Sequence, residues 1–417
     1  MIESFFMMES GIRAALASIM VGGLCGLLGC FIVLRNMSLI GDALSHSILP
    51  GIVVAFMLFG YSTTAFFIGS VIAGLIAALL ITLLQNYIRV KNDAAIGIIF
   101  TFMFSMGVIG ISWLSNSEGV HLDLKDFLFG NVLAVETEEL VISAIMSAVV
   151  IILMITIYRG LFTTSFQSDI AATLGFSSHK IHYVMMFMLS LVVVASIRSV
   201  GVILVVAMLI TPASAALLIS DRLPKVLISS SLIGMISAFS GLLISIVLDT
   251  PPGPSMAVVT TFFYLLVVLF APTRGLIPVW RSRQKQEMRV VIEDILKRLG
   301  SEKNGESMTL EELKSRLGHS SKVLQKWLQK MKKLGLIDQI QNQIVLTESG
   351  RLRGNQLVRA HRLWETFLVE ELGLAPDQIH EDAERVEHHL SDEEINEVDD
   401  SLGFPEKDPH GSPIPRI

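Results

Sequence analysis

Long, nearly uncharged runs dominate the chain up to about residue 280, and an amphipathic, charge-rich pattern follows to its end. A helix needs about 20 consecutive apolar residues to cross a bilayer. Nine stretches reach or approach that length: 11–34, 38–59, 63–87, 95–114, 138–158, 181–197, 200–220, 226–248 and 256–274. The pattern predicts an all-α polytopic membrane domain of eight or nine transmembrane helices over 1–280. The count is eight if 181–197 or 200–220 is a re-entrant half-helix. Gly22, Gly23, Gly26 and Gly29 fall in the first stretch, where small residues let helix backbones approach closely in lipid. Pro212 interrupts the seventh, marking either a broken helix along a pathway or a simple kink.

Residues 281–286 form a basic juxtamembrane linker suited to anionic headgroups. A helical pattern over 287–299 comes next. Thr309 caps a helix to Leu317, with Glu312 in the capping-box position. Ser320 or Ser321 begins another helix, which runs to Leu334 and stops at Gly335. Two short strands around Gln341 and Asn342 complete a mostly α winged helix-turn-helix domain over 287–350. A further helical segment occupies 351–417.

Charge orients the spans. Arg35, Arg89, Lys91, Arg159, Lys180, Arg222, Lys225 and Arg274 all follow odd-numbered spans, so those exits are cytoplasmic by the positive-inside rule. The charged tail is then cytoplasmic; Arg13 and Arg198 run against this scheme. A composition of 52% hydrophobic and 17% charged residues excludes an ordinary soluble enzyme. Cys25 and Cys30 lie five apart within the first span and read as packing residues. No GxxxxGK[ST] phosphate-binding loop occurs, so ATP hydrolysis has to come from a partner.

Three clusters carry chemistry. The second span opens as RNMSLIGDALSHSILPG, which puts Asp42 and His46 on one helix face inside an apolar run. Ionisable groups at membrane depth face a pathway or a partner. A carboxylate with an imidazole serves a divalent transition metal, or a structural hydrogen bond within the bundle. In the tail, His361 and Glu365 are one turn apart. His380 precedes a helix bearing Glu384, Glu387 and His388. Oxygen and nitrogen donors without thiolate suit Mn(II) or Fe(II). From Leu313 to Ile337 there is no acidic residue, and Lys322, Lys326 and Lys330 form a stripe that begins beside Ser321. Ser321 and these three lysines are the candidate DNA contacts; a solvated face, or one docked on lipid or a partner, is the alternative.

Residues 8–275 resemble the manganese/zinc/iron ABC permeases, the ABC-3 family. The likeness rests on the Asp42/His46 segment, on FLFGNVL at 127–133 and on SVGVILVVAMLITPASAALL at 199–218. It implies that Asp42 and His46 line a translocation path. It also implies a cytoplasmic ATP-binding subunit, an extracytoplasmic solute-binding protein and a second permease copy, in the bacterial cytoplasmic membrane. The loop SDIAATLGFSSHKIH at 168–182 resembles the segment that docks on the ATPase, a likeness carried by Ala172, Leu174 and Gly175. Its alternative is a solvated loop with a short amphipathic helix.

From about Glu287 onward, including SDE at 391–393 and the closing GSPIPR, the chain resembles the diphtheria-toxin-repressor and manganese-transport-regulator family. That family consists of metal-loaded, DNA-binding dimers. The resemblance makes 351–417 a metal-binding and dimerisation domain. It groups His361, Glu365 and His380 at one metal position and Glu384, Glu387 and His388 at another. Glutamate at 384 follows the manganese-type pattern, since iron-type members carry cysteine there. A further ligand comes from the first helix, with Met288 fitting one register and Glu293 another. The expected protein is an importer subunit for Mn2+, with Fe2+ or Zn2+ as alternatives. Its tail is either a metal-responsive repressor on operator DNA or an allosteric brake on transport.

Overall fold

The computed structural model describes residues 8–88, 90–118, 130, 132–300, 308–317, 321–340, 343–375, 379, 383, 386 and 390–416. It divides into two compact units, 1–279 and 280–417. In the first, the apolar runs become helices α1 (Glu9–Leu34), α2 (Ile40–Ser47), α3 (Leu49–Phe59), α4 (Thr63–Tyr87) and α5 (Asn92–Glu118). A 3-10 turn at Val132–Ala134 leads to α6 (Thr137–Phe166), α7 (Ser168–Thr173), α8 (Ser178–Ile219), α9 (Leu223–Leu248) and α10 (Pro252–Phe270). Among the described residues, nine stretches are long and apolar enough to cross a membrane.

Helix α1 packs on α8 and α9, burying Leu28, Phe31 and Ile32. Small residues make the contact possible. A β-carbon on Gly22 would sit 2.4 Å from the Gly234 carbonyl oxygen of α9. Nearby, the Ser230 hydroxyl donates to the Gly26 carbonyl at 2.7 Å. Arginines tie α1 to α6 at both ends. Arg13 donates to the Thr137 hydroxyl at 2.8 Å, and Arg35 donates to Ser165 at 3.1 Å and to Thr164. Arg13, which runs against the charge rule, therefore has a neutral hydroxyl for a partner.

The second span is hitched at Ile48, between α2 and α3. Pro50 has no N–H to give the His46 carbonyl four residues back, so the helix cannot run through unchanged. In the stretch from 178 to 219, Pro212 stays inside the helix and the break falls at Gly201 (φ 79, ψ 164), dividing α8 into two membrane-length arms. Only glycine adopts such a backbone readily. Gly130 packs against it so closely that a β-carbon there would lie 2.3 Å from the Gly201 nitrogen.

Helix α11 (Leu276–Gly300) begins eleven residues before the predicted start at 287, so residues 281–286, expected as a linker, are helical. The second unit continues with β1 (Met308–Thr309), α12 (Leu310–Leu317), α13 (Ser321–Lys333), β2 (Ile337–Ile340), β3 (Gln343–Leu346), α14 (Glu348–Glu370) and α15 (Asp392–Ser401). The Thr309–Glu312 capping box forms: Thr309 N–H donates to the Glu312 carboxylate at 2.9 Å, and Glu312 N–H donates to Thr309 Oγ1 at 3.3 Å. The predicted hairpin is antiparallel, pairing Ile337 with Leu346. A third strand, β1, joins it in the order β1-β3-β2. Ile295, Leu296, Leu313, Leu324, Met331, Ile337 and Ile344 close one core over this sheet. Ala360, Leu363, Ile395 and Ile414 close a second, with Ile414 of the GSPIPR segment seated on α14. Asp399, 1% exposed, pairs with Arg359 at 2.6 Å and Arg416 at 3.3 Å and pins that closing segment.

Candidate metal centres

The membrane centre is built on α2. Its i, i+4 spacing brings His46 Nε2 within 3.5 Å of Asp42 Oδ1. Both side chains are partly exposed, Asp42 at 47% and His46 at 20%, in a helix whose other faces are buried. Phe100 and Phe104 of α5 meet the imidazole edge-on, with ring centroids 5.5 and 5.3 Å away. These rings fix the imidazole plane, and sequence spacing alone gave no sign of them. Pro50 cannot donate to the His46 carbonyl, which accepts from the Ile48 N–H instead. Carboxylate and imidazole are suitable donors for a divalent ion.

The tail centre is deeper. His361 and Glu365 face each other across one turn of α14, 5% and 2% exposed, with Nε2 and Oε1 3.1 Å apart. Two donor atoms so placed can share one ion at about 2.1 Å from each. Their chemistry fits the metal class expected. His380, Glu384, Glu387 and His388 lie outside the described residues. Among the described residues, no group of three or more His, Cys, Asp or Glu side chains is gathered for a metal.

Both first-helix candidates make contacts within this unit. Glu293, 4% exposed, accepts from Arg289 at 3.1 Å and Arg353 at 3.0 Å through one oxygen. Met288 Sδ accepts from Lys330 Nζ at 2.9 Å. A residue that the sequence reading missed enters instead: Lys297 Nζ lies 3.0 Å from His361 Nδ1. It stands one turn beyond Glu293 on α11, a helical spacing visible in the sequence but silent about its partner 64 residues away.

Of the candidate DNA contacts, Lys326 and Lys330 are exposed on α13. Ser321 and Lys322 begin that helix, and their side chains lie outside the described residues. The proposed coupling segment is the short helix α7, followed by a left-handed turn at Gly175 (φ 83) into α8. Ala172 and Leu174 are exposed there, and with Ile170 they leave apolar surface uncovered. The two cysteines are unpaired and buried.

Comparison with known proteins identifies the family. Residues 7–271 match the profile of the ABC 3 transport family. The chain belongs to that family: it is a multi-pass membrane protein, the membrane component of an ABC transport system without an ATPase domain of its own. Residues 347–416 match the iron dependent repressor metal binding and dimerisation domain. Among relatives, the manganese transport system membrane protein MntC of Halalkalibacterium halodurans is 42% identical over 277 residues, covering 66% of this chain and 92% of its own. The protein of that name in Bacillus subtilis is 31% identical over 380 residues, covering 88% of this chain and 87% of its own, so that match extends into the tail. Among solved structures, PsaBC from Streptococcus pneumoniae in complex with Fab is similar at a TM-score of 0.58 and 36% identity. It covers 66% of this chain and 98% of that one.

Proposed function

We propose that this chain is the membrane subunit of a bacterial manganese importer whose cytoplasmic tail senses the same ion. The observation that carries the reading is the Asp42–His46 pair, partly open on an otherwise buried helix, in a chain whose relatives are named for manganese transport. An exposed carboxylate at membrane depth is costly unless it faces a pathway or a partner. A second permease copy on that face would enclose it, and a solute-binding protein would deliver the ion from outside. An ATP-binding subunit docking on Ile170, Ala172 and Leu174 would drive the cycle. Fe2+ and Zn2+ use the same donors, so competition among the three metals for uptake in cells lacking their own importer tests the choice of ion. Mn2+ should be taken up preferentially, and stronger competition by Zn2+ than by unlabelled Mn2+ would overturn it.

The second unit is read as a winged helix-turn-helix followed by a metal-responsive dimerisation domain, with Mn2+ or Fe2+ as its ion. The exposed lysines of α13 favour operator DNA as the output. A brake on transport is favoured by α11, the helix that covalently joins this unit to the membrane unit. The full chain in lipid nanodiscs separates them. A repressor binds a duplex from its own promoter region only with Mn2+ present, and binding weakens steeply with salt. A brake shows no such binding, and uptake slows as metal on the cytoplasmic side rises.

A further inference from the structure

We propose that Lys297 is a resident cation of the tail's metal site, and that loading the site expels its amine from His361. The proposal rests on the reading of His361 and Glu365 as metal ligands. Both nitrogens of the buried His361 ring are taken. Nδ1 lies 3.0 Å from Lys297 Nζ, and Nε2 lies 3.1 Å from Glu365 Oε1. An ammonium has only donors and a carboxylate only acceptors, so Nδ1 accepts and Nε2 carries the hydrogen.

A metal ion needs a bare ring nitrogen. If it binds Nδ1, it takes the place Lys297 holds. If it binds Nε2 beside the Glu365 carboxylate, the ring's hydrogen moves to Nδ1, where it meets the N–H bonds of Lys297 donor to donor. Metal-bound histidines ordinarily point that second N–H at an acceptor. A divalent ion and an ammonium on one imidazole also repel each other. By either nitrogen, loading and the Lys297 contact are mutually exclusive.

The rest of α11 lets the amine leave without unpacking the helix. One turn back, Glu293 holds α11 to α14 through Arg353, and Ile292, Ile295 and Leu296 are buried around it. The lysine therefore works as a threshold. The ion must displace a cation already in place, and the displacement is felt on α11.

Two measurements on the full chain in lipid nanodiscs test this, both with Asp42→Asn in place so that the membrane pair does not add a binding event. Acylation of Lys297 by a small amine reagent, followed by mass spectrometry, should rise several-fold on adding Mn2+ and stay level with Mg2+. A level or reduced signal with Mn2+ overturns the proposal. Titration with Mn2+, read from the free-ion electron paramagnetic resonance signal, should show Lys297→Met binding about tenfold more tightly, since the repelling ammonium is gone, and Lys297→Arg close to the parent. Unchanged or weaker binding by a folded Lys297→Met chain overturns it; if that variant does not fold, the acylation result decides. Glu365→Gln serves as the separate control. If it fails to weaken Mn2+ binding, the metal-site reading itself is wrong. If it weakens binding while Lys297 reactivity and Lys297→Met affinity do not move, only the lysine's role is refuted.

Discussion

Replacing Glu293 by glutamine separates a structural anchor from a metal ligand. One oxygen of this buried carboxylate accepts from two guanidiniums, at 3.1 and 3.0 Å. A hydrogen bond to a charged group contributes about 1.5–3 kcal/mol. The arginine side chains are 59% and 36% exposed and regain water when released, so the loss belongs at the low end. Glutamine keeps one acceptor but sets an amide N–H2 against cations. The net cost to the second unit is about 1–2 kcal/mol, a factor of about 5–30 in its opening equilibrium. Hydrogen exchange followed by mass spectrometry on the intact chain reads this directly. Amides of α11 and α14 should exchange about 5–30-fold faster, with Mn2+ affinity unchanged. Unaltered exchange together with a tenfold or greater loss of Mn2+ affinity would refute the reasoning and make Glu293 a first-helix ligand.

Other outcomes follow from the same geometry. Gly22→Val should cost the membrane unit about 1–3 kcal/mol through overpacking against the Gly234 carbonyl, seen as a lower melting midpoint in nanodiscs; an unshifted midpoint would mean α1 and α9 do not touch there. If the tail reads DNA, Lys326→Gln and Lys330→Gln should each weaken binding evenly across sequences and flatten the salt slope by about 1, and a change in sequence preference instead would place them at base edges. Leu174→Glu should release the ATP-binding subunit from the purified complex while the chain stays folded, whereas retained association would move the docking surface elsewhere.

The helices were legible where the pattern is local. Apolar runs of bilayer length became spans, the Thr309–Glu312 capping box formed, and the i, i+4 pairs Asp42/His46 and His361/Glu365 met as helical spacing requires. What depends on distant partners was not legible. Pro212 could be read as a break or as a kink, and the chain stays helical there; the boundary expected between 181–197 and 200–220 falls at Gly201, whose neighbour Gly130 no local pattern announces. The β1 strand has two residues and exists only through pairing with Ile344 and Gln343. Glu293 is a ligand candidate through the family resemblance, and nothing in its segment announces its arginine partner on α14, 60 residues away. Lys297 escaped notice for the same reason, since nothing local in its segment refers to His361.

Manganese uptake tests the central claim, that two separate centres on one chain hold the same ion for different ends. Initial rates are measured in cells lacking their own importer and supplied with this chain, its ATP-binding subunit and its binding protein, for the parent, Asp42→Asn and Glu365→Gln. The account predicts that Asp42→Asn reduces uptake to background. It predicts that Glu365→Gln keeps the initial rate but abolishes the response to accumulated metal. Normal uptake through Asp42→Asn, or a metal response that survives Glu365→Gln, would contradict it.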